Sequence, residues 1–465
     1  MTLHPDRLLP PDPATRKLAR DLHAAVADLP IISPHGHTDP RWWGENPAFS
    51  DPAQLFVTPD HYVTRMLTSQ GVPFEAMGIG AGAETDPRAI WRVFARNFHL
   101  FRGTPSRIWI EHALENLFGV TERLSEATAD RAYDAVAERL EQPEFRPRAL
   151  YDRFNIEAIA TTDGALDDLA QHAKLRGADW SGRVVPTYRP DAVVDPEAPG
   201  FAAALDCLGE MTGCDTGGWE GYLAAHRTRR AVFISMGATA SDHGHPTPRT
   251  ADLGQAEART LFARVRGGAA EAGDAELFRA QMLTEMARMS LEDGLVMQLH
   301  AGSMRGHSDA VRAAYGLDRG FDIPLPSSFT EALRPLLNAV GLDPRLTLIL
   351  FTLDETTYAR ELAPLAGVWP CLRLGPPWWF HDSYEGMRRY REAVIETAGF
   401  HNTAGFNDDT RALCSIPARH DVARRVDSGF LAELVVTHRL DEAEAFEIAP
   451  LLAGGLARQA YRLGG

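Results

Sequence analysis

Short apolar runs, each closed by a polar or aromatic residue and set apart by helix-length stretches, recur along this chain of 465 residues. Ile31-Ile32-Ser33 leads to His35 and His37. Residues 156–161 end at Thr162-Asp163, and residues 184–188 at Arg189-Pro190-Asp191. Residues 231–235 run toward Ser241-Asp242-His243-Gly244, and residues 295–299 stop at His300. Residues 346–351 reach Asp354-Glu355, residues 368–374 reach Trp378-Trp379, and residues 403–406 reach Asp408-Asp409-Thr410-Arg411. Amphipathic stretches such as 275–291 and 327–340 lie between many of them. Eight strands alternating with helices predict an α/β fold, a closed (β/α)8 TIM barrel, with a doubly wound sheet as the second choice. In such a barrel, residues just past the strand C-termini face one common site.

The remainder of the chain is organised around that core. Residues 1–41 read as an N-terminal helix (14–29, closed by Pro30) and the first strand. Residues 42–150 read as a large helical insertion, with helix starts at Pro59-Asp60-His61-Tyr62, Pro87 and Thr104-Pro105. Residues 151–425 form the rest of the barrel and 426–465 a helical tail. Pro450 and Gly454-Gly455 should interrupt that tail, because each glycine costs a helix about 1 kcal/mol.

A formal net charge of −16 argues against nucleic acid and anionic membrane as partners, since both call for a basic face. It leaves room for a small anion, because a few local arginines can outvote the global sign. The four cysteines have no CxxC spacing and read as reduced thiols. With no apolar core near the N-terminus and no run of 18 apolar residues, the sequence reads as a cytoplasmic protein.

Chemistry is concentrated at the strand ends. His35 and His37 flank Gly36, so alternation puts both imidazoles on one side of an extended segment. Neutral imidazole is a preferred ligand for zinc and its neighbours. His300 and Asp409 complete a mixed nitrogen/oxygen set suited to one catalytic divalent ion: zinc first, manganese or iron as alternatives. His243 competes with His300, and Asp408 with Asp409, because only one of that adjacent pair can turn inward. Arg189 and Arg411 offer forks that match a carboxylate; each could instead be spent on a neighbour, Arg189 on Asp191 or Arg411 on Asp408. His61 and Tyr62 could reach over the barrel mouth toward a polyol, and Trp379 could line it.

Assembled in order, these motifs resemble the uronate (glucuronate) isomerase family of the amidohydrolase superfamily. The resemblance runs through Pro34-His35-Gly36-His37, Pro59-Asp60-His61-Tyr62, Asn155 to Asp163, Tyr188-Arg189-Pro190-Asp191 and Ala240-Ser241-Asp242-His243-Gly244. It continues through Met297-Gln298-Leu299-His300, Trp378-Trp379-Phe380-His381-Asp382, Asp409-Thr410-Arg411 and Pro417-Ala418-Arg419-His420. It implies a barrel of the metal-dependent hydrolase type holding one divalent metal, usually zinc, on His35, His37, His300 and Asp409. Substrate contacts would come from His61, Tyr62, Arg189, His243, Trp379 and Arg411. The implied activity is aldose–ketose isomerisation in hexuronate catabolism: D-glucuronate with D-fructuronate, and D-galacturonate with D-tagaturonate. A homo-oligomer is expected. Three departures stand out: Gly36 where the family more often has Cys, Asp408 where it has Thr, and Arg305-Gly306-His307 where an Arg-Asn pair is usual.

The expected route is a base-mediated enediol with Asp409 as base and His61, Tyr62 or His243 moving hydroxyl protons. A metal-dependent hydrolase on the same barrel is the main rival; it is disfavoured because residues 237–243 contain no lysine to bridge a second ion. A non-catalytic sugar-acid sensor is the other.

Overall fold

The computed structural model describes residues 3–464. Seven parallel strands follow one another around the molecule in chain order: β1 (Ile31–Ser33), β2 (Ile156–Ala160), β3 (Val184–Val185), β4 (Ala240–His243), β5 (Val296–Ala301), β6 (Leu348–Thr352) and β7 (Leu372–Leu374). Short extensions, Asp163–Gly164 beyond β2 and Tyr188–Arg189 beyond β3, pair with each other and carry the ladder on to β4. The eighth position is occupied by a single parallel bridge from Thr403 to Leu374. The ring closes where the His37 amide donates to the Thr410 carbonyl at 3.0 Å. This is the (β/α)8 barrel expected.

Two strands differ from expectation. Residues 231–235 are the last turn of a helix that spans Trp219–Ser235, and the strand begins only at Ala240. Trp219, Tyr222, Ala225, His226, Arg229, Arg230 and Phe233 are the buried residues of that helix, a spacing of three and four that a five-residue window cannot show. Gly237, with φ +96°, then turns the chain into β4. The last run, 403–406, contributes one bridge and no strand.

The barrel interior holds Ile32, Ala158, Ala160, Val185, Ala240, Val296, Ile349 and Phe351. Small and branched residues from neighbouring strands fill it, as a closed barrel of this size requires. Tyr461, Leu463 and Ala457 from the tail join that cluster, and the Tyr461 hydroxyl meets Gln298 Oε1 at 3.0 Å. Pro450 and the two glycines do not break the tail. Helix Glu442–Pro450 passes through a wider turn at Leu451–Gly455 into Leu456–Ala460.

Outside the strands, helices such as α1 (Asp274–Asp293), α2 (Thr330–Val340) and α3 (Tyr384–Ala398) pack against the sheet through one apolar layer. Between β1 and β2 the chain forms a run of short helices around its own aromatic cluster, including Trp91, Phe94, Phe98 and Phe101. Their starts share a chemistry. Asp39, Asp51, Asp86 and Thr104 each cap the first turn with a side-chain oxygen, and each is followed by proline. The cap satisfies a free amide, and proline supplies a fixed φ where no amide donor is needed. Among the described residues no helix is long and apolar enough to cross a membrane.

Candidate active site

Beyond the C-terminal ends of the strands a cavity of about 470 Å³ opens, within the range of small-molecule sites. Its walls include His37, His61, Tyr62, Arg189, Trp379 and Arg411.

Asp409 is the centre of the first cluster. Its Oδ1 lies 3.2 Å from His37 Nε2 and 3.5 Å from His35 Nε2, and the three side chains form a group able to hold a metal ion. Tetrahedral zinc with bonds of about 2.0–2.1 Å has ligand atoms about 3.3 Å apart, so the donor spacing fits. Burial lowers the His37 pKa below 6.5, which keeps the imidazole in the neutral, ligating form. Burial pushes the Asp409 carboxyl up, but the neighbouring His35, His37 and His300 outweigh it and hold it well below the usual range. The adjacent Asp408 turns away and accepts from His420 at 3.1 Å, so the choice within that pair falls on Asp409.

His300 belongs to a second cluster, with Asp242 and the shared His35. Its Nδ1 is 2.6 Å from Asp242 Oδ1, and its ring stacks 4.6 Å from His35. His300 Nε2 is buried without a hydrogen-bond partner, an arrangement suited to a ligand. The four expected donors thus fall into two triads. Asp242, to which sequence reading gave no role, joins them. Strand alternation contains the signal: Ala240 faces the barrel interior, so Asp242 does too, and His243 does not. His243 Nε2 instead meets Ser241 Oγ at 3.2 Å, beside His245.

Both arginines are engaged. Arg189 donates through Nε to Asp191 at 2.7 Å and reaches Asp242 Oδ2 at 3.0 Å. Burial opposes its charge, and those two carboxylates more than restore it. Arg411 pairs with Asp318 at 2.7 Å, and not with Asp408, the neighbour considered from sequence as the alternative to a substrate carboxylate. Asp318 comes from the loop after β5, which also brings Arg305 and Asp322 to the cavity. Nothing local in a loop sequence reports that it folds back over a barrel mouth.

His61 and Tyr62 open helix His61–Thr68, whose cap is Asp60, accepting from the Tyr62 amide at 2.8 Å. The two expected alternatives, helix cap and cavity wall, are both present. The rings of His61 and Tyr62 lie 4.2 and 4.4 Å from Trp379. Burial, then Arg411, hold the His61 pKa well below 6.5. The Tyr62 hydroxyl donates to Asp382 Oδ2 at 2.9 Å, and Arg419 donates to the same oxygen at 2.6 Å. Arg419 also lies 3.6 Å from the centre of the Trp109 ring. Burial pushes the Asp382 carboxyl up to about 6, against the pull of Arg419.

Fold and site together define a (β/α)8-barrel protein with a histidine/aspartate cluster at the barrel mouth. At the level of fold alone it is similar to a putative metal-dependent hydrolase from Lactobacillus casei (14% identical over 95% of this chain and 97% of that one, TM-score 0.55). The glucuronate isomerase family profile matches residues 13–449. A uronate isomerase of Rhizobium meliloti is 63% identical over 99% of both chains. The crystal structure of glucuronate isomerase from Caulobacter crescentus superposes with TM-score 0.98 at 56% identity, covering 100% of this chain and 98% of that one. That of a Thermotoga maritima uronate isomerase gives 0.93 at 28%, covering 99% and 100%. The chain belongs to the uronate (glucuronate) isomerase family, and it is an isomerase.

Proposed function

We propose that this isomerase interconverts D-glucuronate with D-fructuronate, and D-galacturonate with D-tagaturonate, by proton transfer between C2 and C1, using one divalent ion held by His35, His37 and Asp409. The observation that carries this reading is the Asp409 carboxylate, 3.2 and 3.5 Å from two imidazoles at the mouth of a cavity whose wall also bears Arg411. Zinc is the ion the donor set suits best, with manganese or iron as alternatives.

A divalent ion there would polarise the sugar's carbonyl and neighbouring hydroxyl, acidifying the C2 hydrogen by several kcal/mol. Asp409 takes that proton and returns it to C1. A carboxylate is a weak base toward carbon, so the carbon acid has to be strengthened for the transfer to run. Arg411 orients the C6 carboxylate through a two-point fork. Tyr62, whose hydroxyl is held by Asp382 and the Trp379 carbonyl, contributes its ring to the cavity wall. His61, neutral and lying tilted against Trp379, is placed to pass protons between the O1 and O2 hydroxyls. Arg189, held by two carboxylates, acts mainly by fixing Asp242 and through it His300.

The test is isomerisation of D-glucuronate and D-galacturonate followed by NMR in deuterated water. Ketose formation with deuterium entering at C1 supports the enediol. Ketose formed with no solvent deuterium under any condition favours a hydride shift, and no turnover of either sugar contradicts the proposal.

A further inference from the structure

The loop after β5 places a carboxylate of the chain itself in the cavity, against Arg411. Ser303–Met304 pairs antiparallel with Ile323–Pro324 at its base. A short helix, Asp309–Tyr315, then brings Tyr315 against Phe74, ring centres 4.6 Å apart, with its hydroxyl on Glu75. On the far side, Gly320 has φ +82° and lies so close to the helix that bears His61 that a Cβ would stand 2.5 Å from Arg65 Cβ and 3.0 Å from the His61 carbonyl. The indole of Trp379 donates to the Asp322 carbonyl at 3.4 Å. Asp318 sits between these fastenings in the left-handed region, φ +61°, a conformation rare for non-glycine residues but tolerated by aspartate and asparagine. Its carboxylate takes a hydrogen bond from Arg411 at 2.7 Å, with Arg305 as a further nearby cation.

The two other arginines on the cavity wall are countered as well. Arg189 is held by Asp191 and Asp242, and Arg305 stands 3.7 Å from Asp322. The wall as a whole carries six aspartates against three arginines. An incoming monoanion therefore meets arginines that are already paired; it must share or displace a carboxylate already in place.

We propose that Asp318 is a specificity-determining residue: a tethered counter-ion that competes with the incoming carboxylate for Arg411. A simple carboxylate then gains too little to displace it. A sugar acid, which also reaches the His37/Asp409 end of the cavity with its other terminus, gains enough. This rests on the sugar-acid reading above.

Asp318→Asn isolates the charge, because asparagine keeps both the size and the tolerance for a left-handed backbone. Calorimetry on the metal-loaded protein, with propionate as a carboxylate that lacks hydroxyls, is expected to show binding at least tenfold tighter in Asp318→Asn than in the unaltered protein. KM for D-glucuronate should fall by a smaller factor, about two- to fivefold. The gain in propionate affinity should vanish in the Asp318→Asn/Arg411→Met double variant. Propionate binding that is unchanged or weaker in Asp318→Asn overturns the proposal, as does a gain that survives removal of Arg411. A tenfold rise in KM would make Asp318 a direct substrate ligand and overturns it too. If the unaltered protein isomerises no hexuronate, the sugar-acid reading fails, while the propionate comparison still decides the role of Asp318.

Discussion

His37 Nε2 and Asp409 Oδ1, brought from the two ends of the barrel's strand order, stand 3.2 Å apart. The His37 amide is at the same time hydrogen-bonded to the Thr410 carbonyl at 3.0 Å. Closure of the barrel and assembly of the proposed metal site are therefore one event. Asp409→Asn should keep the fold, because the closing backbone bond is untouched, yet lose most bound metal and slow turnover by at least about 10³-fold. Metal analysis beside a rate measurement checks this; near-normal turnover with metal retained would remove Asp409 as both ligand and base.

Asp382 holds Tyr62 and Arg419 on one oxygen. Removing its charge leaves the Arg419 guanidinium buried with poorer compensation, which costs about 3–5 kcal/mol when a buried pair is broken outright. Asp382→Asn, which keeps the shape, should cost less, about 1–3 kcal/mol, and reduce kcat more than it raises KM, since the phenol loses its fixed orientation. Thermal denaturation together with steady-state kinetics reads both effects. Unchanged kcat would make this network purely structural.

Asp163 gives a pH-dependent contribution to stability. It is buried, accepts from Thr161 at 2.7 Å, and burial raises its carboxyl from 3.8 to about 7. The folded state therefore holds this proton more tightly than the unfolded chain. The resulting stabilisation is complete below about pH 4 and is lost as pH rises toward about 7. In Asp163→Asn that loss is absent, so the variant should gain on the unaltered protein as pH rises from about 4.5 to about 8. His172, lowered by burial to about 4, has the opposite slope; it lies 3.9 Å from Asp163 and shares Thr161 with it, so His172→Gln is measured alongside to separate the two. Melting temperatures at both ends of this window are the check, and a constant difference between the two proteins would refute the assignment.

Arg411→Met should raise KM for a hexuronate by at least about 30-fold, the scale of one charged hydrogen-bonded contact of about 2–3 kcal/mol. Binding of a neutral aldose should change little. Equal losses on both would mean that Arg411 serves the fold and not the carboxylate.

Much of this architecture was legible because strand ends speak twice, once as apolar runs and once as the polar residues that follow them. His35 and His37 were candidates on that basis, whereas strand ends left Asp408 and Asp409 level and only the family resemblance favoured Asp409. What failed did so for identifiable reasons. Residues 231–235 are apolar enough for a strand, but their burial follows a helix that starts at Trp219. His243 attracted attention as an imidazole although the alternation of β4 gives the inward position to Asp242. Arg411 finds Asp318 through a loop whose path is set by Tyr315 on Phe74 and by the close approach of Gly320 to Arg65. Those are long-range contacts, and no local pattern encodes them.

The most direct test of the account is metal dependence. The protein is stripped with a chelator and reconstituted with zinc or manganese, and metal content and D-glucuronate isomerisation are measured on the same samples. The account predicts one tightly held ion per chain, turnover that falls with the ion and returns with it, and loss of both in His35→Asn and His37→Asn. Full turnover in the stripped protein, or an ion retained unchanged in both histidine variants, would contradict it.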